Sequence, residues 1–377
     1  MFIIILLLYI VGHVYLAVRG YQVLSGYPVM QKVLIVCVVF FALSFFVGMF
    51  MGRGSDAGFS VLLYHVSMVW LVPFLYLVIF ALFTDILRLS DFAVTWFPPF
   101  VRYVSAFPLY WMLSGMALVG VICLWGFLRF NNPAVTKLSI DAVAAGMVSS
   151  GDMPGSLRVV MASDVHIGRS INARKLEKYV AFINGLNPDV VLFGGDILDH
   201  GINGLDKTAI SAAISKINSR YGVYGVPGNH EYYGGMPESV EWLEAAGITM
   251  LRDSVVNIGG IVSVAGRDDR SNHRRKPLKD ILAGLSDNKP VIVLDHQPYS
   301  FDESESCGVF FHFSGHTHYG QVWPASLITK SMYELAYGYK KKGDTHFYVS
   351  SGLALWGPPY RVGTRSEAVL LELKIEN

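Results

Sequence analysis

Apolar positions divide this chain before any single residue is considered. Up to about residue 140 they run almost unbroken. Four stretches, 2–18, 33–51, 60–83 and 107–128, approach the roughly 20 apolar residues that cross a bilayer. Beyond about residue 157 short β-branched runs alternate with amphipathic segments. "LRVVMAS", "DVVLFGG" and "YGVYGVPG" predict strands, and "NARKLEKYVAFING", "LDKTAISAAISKINS" and "PESVEWLEAAG" predict the helices that follow them. Asn172 is placed to cap the start of the first helix and Gly185 its end, and Pro237 suits the first turn of the third. "ITML", "SVVNI" and "IVSVAG" read as closely spaced strands, "LKDILAGL" as a helix, and "PVIVLD", "VFFHFSG", "THFYVSS" and "EAVLLELKI" as later strands. The expectation is one large α/β domain whose sheet is covered by helices.

Composition sharpens the division. The 377 residues are 53% hydrophobic and only 16% charged, too apolar for an ordinary soluble protein. Seven of the 30 Lys/Arg and three of the 29 Asp/Glu lie at or before Ile140. We therefore expect a helical transmembrane anchor of about four spans over 1–140, a linker over 141–156 and a catalytic domain over 157–377. The first span starts right after Met1 with no basic segment, which fits a cleaved signal peptide poorly. His13, His65 and Asp85 are the polar groups in or beside the spans. They are too few for a transport path and read as packing or interface polarity. The chain is expected to be integral to the cell membrane, with the bilayer as its partner. Arg19, Lys32, Arg88 and Arg102 on one set of loops outnumber Arg53, Arg129 and Lys137 on the other. That margin leans toward an exoplasmic C-terminal domain. A net charge of +1 argues against nucleic-acid binding, and Cys37, Cys123 and Cys307 form no disulfide framework.

The chemistry sits where strands end. "MASDVHIG" offers Asp164 and His166, "FGGDILDHG" Asp196 and Asp199, "VPGNHEYYGG" Asn229, His230 and Glu231, "VLDHQP" His296, and "SGHTH" His316 and His318. Loops at the carboxyl ends of strands are where α/β proteins gather ligand sites. Carboxylates, an amide oxygen and imidazoles without thiolates suit divalent Mn, Fe, Co, Ni or Zn. The ligands are too many for one tetrahedral zinc and enough for two cations about 3.5–4 Å apart. Two such cations against Asp164, Asp196 and a bridging hydroxide leave the site cationic, so it attracts a phosphate ester. The implied reaction is in-line attack on phosphorus by metal-bound hydroxide. His230 could bind the phosphate or protonate the leaving oxygen, and Asp199 could orient it or a ligand histidine.

Each block alone is a common turn; the ordered set is not. It resembles the calcineurin-like metallophosphoesterase superfamily, whose blocks Asp-x-His, Gly-Asp-x-x-Asp, Gly-Asn-His-Glu/Asp, a later His and Gly-His-x-His all occur here between Val159 and His318. The resemblance implies a four-layer α/β/β/α sandwich with two metals. One would take Asp164, His166, Asp196 and His318. The other would take Asp196, Asn229, His296 and His316, with Asp196 bridging and His230 catalytic. "GHTHYGQVWP" and "GPPYRVG" look like the bacterial YkuE/YaeI branch and its multi-span relatives, with Tyr319 and Pro359–Tyr360 as departures at the rim. Members near that branch act on phospholipids or on pyrophosphates of lipid-linked nucleotides such as UDP-diacylglucosamine. Arg361, and Arg267 in the basic run "GRDDRSNHRRKPLK", are candidate substrate contacts. Leu355, Trp356 and Tyr360 are candidates for acyl chains, with simple packing the weightier reading. The expected function is a membrane-anchored phosphoesterase acting on a phosphorylated, lipid or lipid-linked substrate. The alternatives are a lipid A pathway pyrophosphatase and a non-catalytic scaffold; a transporter with a regulatory domain is disfavoured.

Overall fold

Each long apolar stretch forms a helix, and each helix runs further than hydropathy alone indicates. In the computed structural model, which describes residues 2–52, 58–142, 155–285 and 289–375, the first part of the chain contains α1 (Phe2–Val23), α2 (Pro28–Gly52), α3 (Gly58–Val94), the short α4 (Pro99–Tyr103) and α5 (Phe107–Asn131). Helices α1, α2, α3 and α5 are long and apolar enough to cross a membrane. They mark the chain as a membrane protein. Several polar groups on these helices find partners within them. Asp85 accepts from Arg19 Nε at 2.8 Å and Tyr15 Oη at 2.6 Å. His13 donates through Nδ1 to the Tyr9 carbonyl (2.9 Å) and accepts at Nε2 from Trp70 Nε1 (3.0 Å). Buried polar groups in lipid are expected to be satisfied in this way.

The chain forms two compact units, Met1–Leu128 with Gly357–Tyr360, and Arg129–Trp356 with Arg361–Asn377. In the second, the elements run β1 (Ala134–Asp141), β2 (Ser156–Ala162), α6 (Ala173–Asn184), β3 (Val190–Phe193), α7 (Lys207–Ile214), β4 (Val223–Gly225), α8 (Asn229–Gly234), α9 (Met236–Ala245) and β5 (Thr249–Met250). They continue β6 (Ser254–Ile258), β7 (Val262–Gly266), α10 (Leu278–Leu282), β8 (Val291–Leu294), α11 (Phe301–Ser306), β9 (Phe311–Ser314), α12 (Ala325–Met332), β10 (Gly338–Lys342), β11 (Thr345–Val349) and β12 (Glu367–Lys374). The caps of α6 are those read from the sequence: Asn172 accepts from Lys175 N, and Gly185 ends the helix.

Two six-stranded mixed sheets result, ordered β1-β12-β2-β3-β4-β5 and β10-β11-β9-β8-β7-β6. Strands β2, β3 and β4 carry runs with no polar face, Val190–Phe193 being buried at every position. That pattern belongs to parallel strands covered on both sides. Val159, Met161 and Leu192 of one sheet meet Val264, Ile292, Leu294, Phe311 and Phe313 of the other in a shared core. Val160, Val191 and Phe193 face the opposite way onto α6, α7 and α9 through Leu176, Tyr179, Ile183, Ile210 and Leu243. Helices α10 and α11 cover the far side of the second sheet through Leu278 and Phe301. This is the α/β/β/α sandwich.

The expected boundary at 140 is corrected. Residues 134–141 form β1, paired in parallel with β12 from Ala134↔Glu367 to Asp141↔Lys374. The apolar texture runs straight from α5 into this strand. Only the helix-disfavouring Asn132–Pro133 marks the change. Of the expected linker 141–156, residues 143–154 lie outside the described residues.

Candidate metal centre

Strands β2, β3 and β4 of one sheet and β8 and β9 of the other end on the same side of the sandwich, and the loops beyond continue their ladders. Asp164 N donates to the Gly195 carbonyl and His166 N to that of Asp196, both at 3.0 Å. Gly315 N donates to the His296 carbonyl at 2.9 Å. The chain turns sharply at the chemistry-bearing residues. Asp164, His166, Asp196, His316 and His318 all have positive φ, from 46° to 69°. For side chains other than glycine this region costs energy and is sustained only where surrounding structure enforces it. Glycines supply the clearance. A Cβ on Gly228 would collide with Asp196 Oδ1, and one on Gly315 with Asp164 Oδ2.

The ligand atoms converge. His318 Nε2 lies 3.1 Å from His166 Nε2 and 3.4 Å from Asp164 Oδ1. Asp196 Oδ2 is 3.1 Å from His296 Nε2 and 3.8 Å from His166 Nε2. Asp164, His166 and His318 form one group within reach of a single ion, and Asp196, His296 and His316 another. Two donors held at about 2.1 Å by one cation stand about 3 Å apart, so these spacings suit metal ligation. The tautomers suit it too. His296 donates Nδ1–H to the Gly194 carbonyl at 2.8 Å, which leaves its buried Nε2 as a lone pair without a hydrogen-bond donor. Asn229 Oδ1 is likewise buried and unpartnered, on a residue 6% exposed. Each of the seven sequence-nominated ligands therefore lies on this side of the sandwich.

Asp199 gathers three imidazoles. Its Oδ1 is 3.2 Å from His230 Nδ1 and 3.5 Å from His166 Nδ1, and its Oδ2 is 3.0 Å from His200 Nδ1. His230 also donates Nδ1–H to the Asp199 carbonyl at 2.6 Å. Burial would lower the His230 pKa, but Asp199 and Asp196 reverse this and raise it to about 9. Burial would raise the Asp196 carboxyl, yet His296, His166 and His230 hold it well below the usual range. Burial lowers His316 to about 4 and lowers His318 as well. Unprotonated imidazole is the ligating form.

Glu231 is fully buried beneath this floor. Its carboxylate accepts from Leu198 N and Gly228 N, both at 2.7 Å, tying the loop after β3 to the loop after β4. Neither this tie nor His200 was assigned a role from sequence. The Gly-Asn-His-Glu order was the only signal for Glu231.

Neither of the two arginines expected at the substrate is exposed. Arg361 is fully buried. It donates to the carbonyls of His318 (3.1 Å) and Gly352 (3.3 Å) and to that of Ala354. Burial lowers its pKa to about 10, with Asp164 opposing. Arg267 is 3% exposed and pairs with Asp295 (3.3 Å) and Glu303 (2.7 Å). A buried Asp295 needs such partners more than a substrate does, and Arg275 adds a third contact at 3.0 Å. Of the aromatic and aliphatic candidates, Leu355 and Tyr360 are buried and Trp356 is 54% exposed. Its ring centroid is 6.4 Å from that of His230.

Sequence comparisons agree with this architecture. Residues 157–320 match the family model for calcineurin-like phosphoesterases. An uncharacterized metallophosphoesterase of Helicobacter pylori is 34% identical over 226 residues, 59% of this chain and 60% of that one. A transmembrane protein with metallophosphoesterase domain from Danio rerio is 32% identical over 58% of this chain and 53% of its own. The metallophosphoesterase YkuE of Bacillus subtilis is 26% identical over 67% of this chain and 91% of its own. The match to the first of these spans about three fifths of its length. Residues 157–320 are thus similar to calcineurin-like phosphoesterases, in a chain with four candidate membrane spans among its described residues.

Proposed function

We propose that this protein is a membrane-anchored phosphohydrolase using two divalent cations of the Mn, Fe, Zn, Co or Ni class. One would be held by Asp164, His166, Asp196 and His318, the other by Asp196, Asn229, His296 and His316. Their contribution, when bound, would be Lewis acidity at phosphorus and acidification of water. The protein's own groups do the rest. His230, kept protonated by Asp199, is poised to bind an anionic phosphoryl oxygen and to give a proton to the leaving oxygen. His200 and Trp356 flank it, with ring centroids 5.6 Å and 6.4 Å away. The observation that carries the reading is the convergence of lone-pair nitrogens and carboxylate oxygens, with nearest contacts of 3.1–3.4 Å, from loops of both sheets. A substrate with a phosphate ester or pyrophosphate on a lipid or lipid-linked carrier fits an enzyme tethered to the bilayer.

Purified full-length protein in detergent with Mn²⁺ and bis-p-nitrophenyl phosphate tests the chemistry. Asp196→Asn should lower turnover by about three orders of magnitude, well beyond the 10–100-fold cost of losing an outer partner of a ligand. Equal rates for wild type and Asp196→Asn across the five metals would establish a scaffold instead. A panel of phospholipids and lipid-linked pyrophosphates in mixed micelles then tests the substrate class.

A further inference from the structure

Helix α12 is amphipathic with its faces reversed. Ser326 is its buried residue, and Thr329 and Ala325 are half-buried. Leu327, Ile328 and Met332 are 58%, 62% and 58% exposed. These three fall on one half of the helical wheel, where a helix of a water-soluble domain normally presents charge. The segment is firmly held. Trp323 N donates to the Val362 carbonyl at 2.8 Å before the helix, and Thr317 Oγ1 donates to the Ala336 carbonyl at 2.6 Å beyond it. The exposed apolar face is therefore a fixed surface and not a frayed end.

Its position bears on the metal centre. Only 321–324 separate the helix from the turn His318–Gly320. Its capping residue Tyr333 lies against His316, with centroids 6.3 Å apart. The helix thus frames the mouth of the site from one ligand histidine to the other. Lys330 extends from it over the Tyr319 ring, 5.5 Å from the centroid.

We infer that α12 is an interfacial helix that seats Leu327, Ile328 and Met332 in the headgroup–acyl boundary of a phospholipid bilayer, holding the mouth of the metal site at the membrane surface. Large aliphatic side chains with a flanking lysine are the composition that binds such interfaces. The bilayer is the chosen occupant because four candidate membrane spans lie among the described residues of this same chain. A tethered surface acts at high effective concentration, so a short apolar face suffices where it would be too weak alone. The inference stands apart from the metal chemistry and holds for the metal-free protein.

The test is depth-dependent quenching in the full chain. Cys37, Cys123 and Cys307 are replaced by serine, and an environment-sensitive fluorophore is attached at Ile328→Cys, or at Lys216→Cys as an exposed control. Each protein is placed in nanodiscs with or without spin-labelled phosphatidylcholine. The Ile328→Cys label should emit to the blue of the control and be quenched about threefold more strongly by the spin-labelled lipid, as for a group at the interface. The same contrast should persist after chelation, whether or not the protein hydrolyses phosphate esters. A label at Leu327→Cys repeats the measurement should the first disturb folding. Quenching equal to the control overturns the inference. So does a label shielded from both lipid and aqueous iodide, which would mean that protein covers the face.

Discussion

His312 shows how far a single side chain's state can be fixed by its neighbours. It is fully buried in β9, four positions before His316. Ser314 Oγ donates to the Asp295 carbonyl at 2.6 Å, so His312 Nε2 must donate to that Oγ at 3.0 Å. Its Nδ1 is then the acceptor for Ser304 Oγ at 2.8 Å. A second proton would break this chain, and burial lowers the pKa to about 4, with Arg267 and Arg275 lowering it and Asp295 and Glu303 opposing. The unfolded chain titrates near 6.5. The stabilisation of the neutral form is thus complete above that value and is lost as pH falls toward 4, amounting to about 3 kcal/mol. Thermal melts from pH 7 to pH 4 should show wild type losing stability more steeply than His312→Phe; parallel curves would refute the assignment. In the sequence this histidine could not be told from a surface one, because its partners come from α11 and the end of its own strand. The same blindness misplaced Arg267 and Arg361: a guanidinium on a loop looks solvent-facing until its buried carboxylate or carbonyl partners are known.

Among elements, the Glu231 carboxylate is one of the ties between the loops after β3 and β4. Removing it in Glu231→Ala leaves two buried N–H groups unpaired and should cost about 2–4 kcal/mol. Glu231→Gln keeps the shape but turns an amide NH₂ toward one of those donors, so it should recover only part of the loss. An urea-unfolding series of the three proteins would check this, and a silent alanine variant would remove Glu231 from the account. Strands β2, β3, β8 and β9 and helix α6 were legible because β-branched runs and caps are local signals. The ligand blocks were legible because chemistry at strand ends leaves residue types in a fixed order. The left-handed turns at Asp164, His166 and Asp196 were not, since a positive φ at those residues is imposed by the packed sheet. Helix α12 was also missed, for its outward apolar face reads as neither a buried helix nor a surface one. The hairpin strand β10, with "GYKKK", has no alternation strong enough to announce it.

At the scale of the whole molecule, we propose, from four candidate spans among the described residues and the small excess of Lys/Arg on one set of loops, that the C-terminal domain lies on the exoplasmic side. C-terminal fusions decide it: alkaline phosphatase should be active and green fluorescent protein dark, and the reverse result would assign the domain to the cytoplasm. The pairing of β1 with β12 bears on what a protease could achieve. A cut introduced between 143 and 154 would leave β1 attached to the last apolar helix, yet still zipped into the sheet along eight residues. Eight consecutive paired residues hold that edge to β12. The severed C-terminal domain should therefore sediment with membranes and come free only in urea. Shedding of this domain would require unfolding, because the strand that continues from the last apolar helix belongs to the domain's own sheet.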